Sequence, residues 1–242
     1  MTSDQNAIEP AGSGSILSDF GGMFNFLMDP AGAARYLNRR LFWLAPLIVV
    51  SIVYMVCGLE NFPLVQQAMS NQPMPANANP DQFQKGIQIG LTIQRVAIYA
   101  APIFFLAISA VCALIVLGTA SVMGFKVTFL EMFNLMAGVS VIGALQIIAM
   151  SVILHFRGEP SSMADLQPAL GLDIFAPATM NKAAVAVLGF FNIFEIWQIV
   201  MAAAIFAAYK RTSIGKAVAA IAPVYLIALL FKVVGAFFSS GR

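Results

Sequence analysis

Residues 95–123, RVAIYAAPIFFLAISAVCALIVLGTASVM, decide the fold. After Arg95 the run carries no charged residue as far as Met123. A hydrocarbon core of about 30 Å is crossed by about 20 apolar residues in a helix, so this run spans a bilayer with residues left over for tilt or protrusion. Four more runs read the same way, at 41–59, 129–155, 183–209 and 215–238. Backbone amides and carbonyls find no partners in lipid, so spanning runs of this length must be helical. The expectation is an all-α fold, a polytopic membrane helix bundle with five transmembrane helices over residues 41–238.

Composition agrees. Of 242 residues, 60% are hydrophobic and 10% charged, and the mean hydropathy is +0.85. A soluble domain carries about 25% charged residues, so this chain cannot cover its surface with polar groups. Its main partner is the lipid bilayer. A formal charge of +2, with no long basic stretch, gives nothing to hold a nucleic acid. The two cysteines, Cys57 and Cys112, make no disulfide framework and read as small packing residues. No cleavable leader is expected, because the first apolar run begins only after Arg39 and Arg40.

Ahead of the spans, residues 1–15 are small and polar and read as a disordered tail. From Ile16 the pattern changes: Ile16, Phe20, Met23, Phe24 and Leu27 recur at helical spacing. Asp29-Pro30 then supplies an N-cap followed by a proline at the first helical position. Residues 16–40 read as an amphipathic segment lying at the membrane surface, or as a helix that binds a soluble partner. Between the first two spans, Phe83, Ile87 and Leu91 recur every four residues, so the second helix is expected to begin outside the bilayer. Pro46, Pro102 and Pro223 fall inside the expected spans, where neighbouring helices can satisfy freed carbonyls.

The positive-inside rule sets orientation. With the N-terminus inside, Arg35, Arg39, Arg40, Lys126, Lys210, Arg211 and Lys216 are cytoplasmic. Lys85, Arg95, Arg157, Lys182 and Arg242 then lie outside, with 60–94 and 156–182 as extracytoplasmic loops. The 210–216 turn, with three cations, carries most of the bias. The N-terminus is therefore placed in the cytoplasm and the C-terminus outside it.

Catalytic and ligand signatures are lacking. The single histidine, His155, sits at a span end and cannot form a zinc pair. No glycine loop with a lysine, no G-x-G-x-x-G and no G-x-S-x-G is present. No catalytic, cofactor-binding or metal site is expected, and the chain reads as a non-enzyme. Ionisable groups inside spans stand out instead, because charge in hydrocarbon is costly and is usually partnered. Glu195 lies in the fourth run and Lys232 in the fifth, and an antiparallel hairpin would put them at similar depth. Asn192 and Gln198 flank Glu195 at three-residue spacing, on one side of a helix. Asn192, Glu195, Gln198 and Lys232 form the candidate intramembrane cluster. It reads either as glue between helices or as a proton or substrate path.

Two stretches carry a resemblance. One is MFNFLMDPAGAARYLNRRLFWLAPLIVV, residues 23–50; the other is NIFEIWQIVMAAAIFAAYKRTSIGKAVAAIAPVYL, residues 192–226. With five spans and a cytoplasmic N-terminus, they resemble the Yip family (Ypt/Rab-interacting protein domain) over about residues 20–238. Eukaryotic members are associated with Rab-type GTPases and vesicle formation. Their Asp-Leu-Tyr-Gly-Pro element is absent here, where the nearest feature is Asp29-Pro30. The resemblance therefore implies a prokaryotic relative in the inner membrane, and gives no footing for GTPase binding. The leading expectation is a non-enzymatic scaffold that organises membrane, or that binds membrane-associated proteins or further copies of itself. The alternative is a small transporter or permease subunit with a polar path around Glu195 and Lys232.

Overall fold

A computed structural model describes residues 16–74, 79–177 and 179–238. The expected disordered tail, 1–15, lies outside the described residues. Within them the regular structure is helical, apart from one isolated antiparallel bridge between Gly171 and Asn192. Five helices are long and apolar enough to cross a membrane: α4 (Leu44–Ser70), α6 (Ala101–Val122), α7 (Phe129–Arg157), α9 (Ile193–Lys210) and α10 (Ile214–Phe238). The all-α bundle expected from the sequence is the fold observed.

Helix α7 is the axis. Of its most apolar stretch 39% is buried, against 28% or less for the other four spans. It packs on α4, α6 and α9, while α10 bridges α6 and α9. Thr128 and Glu131 start α7 with a reciprocal capping box, which satisfies two orphan amides of its first turn. Lys210 at the end of α9 reaches Glu131 at 3.3 Å and so joins α9 to the start of α7.

The gap in the ring between α4 and α9 is filled by the N-terminal segment. It folds as three short helices, α1 (Ile16–Met23), α2 (Asn25–Met28) and α3 (Pro30–Ala34). Asp29 caps α3 as its sequence suggests, accepting a bond from the Gly32 amide at 2.9 Å. The segment does not rest on the surface of the bundle. Phe26, Leu37 and Phe42 are fully buried, and Phe26 stacks on Phe42 with ring centroids 5.0 Å apart. The Phe26 ring lies where any side chain on Gly138 of α7 would stand, so that glycine admits it. Asn38 accepts a hydrogen bond from Tyr209 near the end of α9, whereas the Leu27 carbonyl accepts one from the Trp197 indole. Those two points on α9 are separated by about 18 Å of helix. The segment therefore dips about halfway through the bundle and returns, leaving Leu17, Phe24 and Met28 facing outward.

Two expected runs are broken. The 95–123 run is two helices, α5 (Pro80–Tyr99) and α6, divided at Ala100. Pro102 has no amide to offer the Ile98 carbonyl, and the chain bends there. Pro102 thus stands in the first turn of the span α6, where its missing amide costs no bond within that helix. The 183–209 run is α8 (Lys182–Phe190) followed by α9, divided at Phe191 and Asn192. At the same end of the bundle α4 outruns the bilayer and pairs with α5: Gly58 faces Ile98, and Gly90 faces Met69. The loop after α7 contains two 3₁₀ turns, Met163–Leu166 and Leu172–Phe175. It is tied back to α4 by Gln67 to Glu159 and by Asn71 to the Pro160 carbonyl.

Candidate functional site: the break in the fourth span

Asn192, Glu195, Gln198 and Lys232 all lie around the α8–α9 break or one turn inside it. Asn192 is buried and is the N-cap of α9, not a residue within a continuous helix. Its side-chain oxygen accepts from the amides of Phe194 and Glu195, each at 3.0 Å. Glu195 is consequently in the first turn of α9, where the positive end of the helix dipole favours a carboxylate. The N-x-x-E spacing is a helix-start signature. Read that way, it marks the break inside what looks like one apolar run.

A break in a span frees carbonyls, and each must be satisfied. The Gly189 carbonyl accepts from the Lys232 ammonium at 3.3 Å and from the Asn192 side chain at 3.3 Å. The Phe191 carbonyl accepts from the Leu172 amide at 3.3 Å, contributed by the loop after α7. That approach requires Gly171, since a Cβ there would lie 2.9 Å from the Phe191 oxygen. Lys232 thus closes the end of α8, with its ammonium 5.8 Å from the centre of the Phe190 ring.

Sequence spacing allows an ion pair between Glu195 and Lys232, but none forms. Gln198 turns another way: its amide donates to the Val139 carbonyl of α7 at 3.1 Å. The structure brings the four residues into one region but divides their work among three helices. On α10, about two turns before Lys232, the Tyr225 hydroxyl is buried with no hydrogen-bond partner. No group of three or more metal-ligating side chains occurs among the described residues.

A second polar centre forms around Asn134, which the sequence shows, with Ser140 and Gln146, as a polar position of the third apolar run. Asn134, fully buried in α7, donates to the Leu37 carbonyl at 2.9 Å and to the Arg39 carbonyl at 2.7 Å. Its oxygen accepts from the Trp43 amide at 3.1 Å. One side chain therefore holds the returning limb of the N-terminal segment, while Arg39 pairs with Asp19 across the base of that segment. The only hint in the sequence is an asparagine five residues into an apolar run.

The chain matches no protein-family model, no curated protein and no solved structure.

Proposed function

We propose that this chain is a non-enzymatic, Yip-like multi-pass scaffold that organises membrane or holds membrane-associated partners, among them further copies of itself. The observation that carries the reading is the use made of its intramembrane polar groups. Asn134, Asn192 and Lys232 bind backbone at helix ends, breaks or returning limbs, and Gln198 binds a carbonyl inside α7 and so ties α9 to it. Polar groups spent in this way are glue. With the cation-rich end holding Arg39, Lys126 and Lys210 in the cytoplasm, the N-terminus is inside and the C-terminus outside. In a prokaryote that membrane is the inner membrane. GTPase recognition and nucleic-acid binding form no part of the proposal.

The outward side chains Leu17, Phe24 and Met28 give the N-terminal segment a lipid-facing surface near one leaflet. Asymmetric area in one leaflet is a way to shape a bilayer. The test reconstitutes the full chain in vesicles and reads their size by electron cryomicroscopy. Native protein is expected to narrow the size distribution, and the Leu17→Ala, Phe24→Ala, Met28→Ala variant to lose the effect without losing thermal stability. Equal vesicles with both proteins would remove the membrane-shaping reading. One observation favours transport: Glu195 and Tyr225 lack hydrogen-bonded partners beside a broken helix. Proton or solute flux abolished by Glu195→Gln would put transport ahead.

A further inference from the structure

Helices α4 and α5 leave a groove of about 480 Å³ between them, lined by Phe62, Gln66, Gln88, Thr92, Arg95 and Tyr99 among others. Arg95 stands over the Phe62 ring with its guanidinium carbon 4.7 Å from the centroid. No carboxylate pairs with Arg95 among the described residues, and the acids of the two helices, Glu60 and Asp81, are not in the groove lining. The aromatic face orients the guanidinium but occupies none of its five N–H donors as a lone-pair acceptor would.

The level of the groove identifies what meets those donors. About 20 residues of helix cross the hydrocarbon, which carries α4 from Leu44 to the neighbourhood of Pro63, one residue past Phe62. On the other strand of the hairpin, Arg95 is six residues outside Ala101, where α6 enters its apolar stretch. That is about 9 Å beyond the start of the span, the depth of the headgroup layer. From the groove an exposed apolar lane continues along the bundle toward the membrane centre, through Tyr99 and Val96 to Ile103 and Phe104.

We propose that this groove binds the phosphate of a membrane phospholipid, with Arg95 as the principal anion ligand. Gln66, Gln88 and Thr92 line the headgroup space, and the acyl chains run down the lane from Tyr99 to Phe104. Arginine suits the role because its planar fork matches two phosphate oxygens at once.

A phosphate ligand has two sources, a lipid and free phosphate in water, and the experiment separates them. The purified full chain is titrated with phosphatidylglycerol in detergent and bound lipid is counted by native mass spectrometry. Arg95→Gln, Arg95→Lys and Lys85→Gln are run in parallel, and thermal unfolding confirms that each variant is folded. The expected result is one tightly retained lipid on native protein and on Lys85→Gln. Arg95→Gln weakens it about tenfold, the loss of one charge-assisted contact, and Arg95→Lys falls between. Equal retention by native protein and Arg95→Gln overturns the site. Displacement of the lipid by millimolar inorganic phosphate overturns the lipid assignment and leaves a soluble anion as the ligand.

Discussion

The two polar centres of this bundle differ in how completely their groups are used. At the cation-rich end, Asn134 makes three hydrogen bonds to backbone at 37–43, and both polar atoms of its side chain are used. At the α8–α9 break, Asn192 and Lys232 satisfy freed carbonyls, yet Glu195 forms no ion pair and the Tyr225 hydroxyl has no partner. The first centre joins an element that crosses no membrane to the span at the core. The second keeps an interrupted span intact. Asn134, Asn192 and Lys232 are thus spent where backbone leaves the helical ladder, while Gln198 ties one intact span to another, and the degree of saturation tells fixed structure from groups that remain available.

The largest effect expected from this contrast is that of Asn134→Leu. Bonds between helices in membranes average about 0.6 kcal/mol, because alternative partners exist. The Leu37 and Arg39 carbonyls and the Trp43 amide belong to a non-helical return and have no such alternatives. Orphaned buried groups cost about 1–3 kcal/mol each, so we expect a total loss of about 3 kcal/mol, read as reversible unfolding in mixed micelles. The N-terminal segment should also become protease-sensitive at residues 16–40 while α9 and α10 stay protected. A loss near the membrane average would show that the return finds other partners, and the contrast between the two centres would fail.

How much of this could be read in the sequence depends on which residues carry it. The five spans were legible because apolar length is a direct consequence of bilayer thickness. Asp29-Pro30 was legible as a helix start because a cap is a local interaction. The depth of the N-terminal segment was not, since it depends on Gly138 yielding space to Phe26, a contact over a hundred residues apart. Breaks at Ala100 and at Asn192 were partly legible through Pro102 and through the N-x-x-E spacing. Hydropathy overrode both signals, because an apolar run has the same mean whether it is one helix or two. Asn192 and Gln198 drew notice as polar groups in a span, but their partners, backbone carbonyls and amides, leave no trace in residue type.

Smaller effects are expected at the break itself. Lys232→Met removes one donor from the Gly189 carbonyl, which retains its bond from Asn192. The cost should be about 1 kcal/mol. Glu195→Gln breaks no ion pair and should change stability by less than about 0.5 kcal/mol. Double-mutant coupling between the two, measured by the same unfolding assay, should be correspondingly small. Strong coupling would mean that the pair does meet in the membrane, and the second centre would be as saturated as the first.

The smallest effect concerns the exposed loop that ties this end of the bundle to α4. Asp165 accepts hydrogen bonds from the Ser161 and Ser162 hydroxyls and from both of their amides. These contacts, led by the Ser161 hydroxyl and opposed by slight desolvation, hold its carboxyl below the ordinary value of 3.8. A depressed carboxyl stabilises the folded turn fully above the unfolded value and loses that contribution as pH falls through the folded one. The 3₁₀ turn at Met163–Leu166 should therefore be indifferent to pH from neutrality down to about 5, and loosen only below the ordinary carboxyl range. Carbon-13 NMR of the Asp165 carboxyl would give the midpoint, and Asp165→Asn should leave the turn loosened at every pH. The Asn134 centre has no titrating ligand on its amide and should hold its contacts through the same range. A midpoint at or above 3.8 would mean that the serine contacts do not persist in solution, and the loop would then be held only by its ties to α4 and by the Leu172 bond to Phe191.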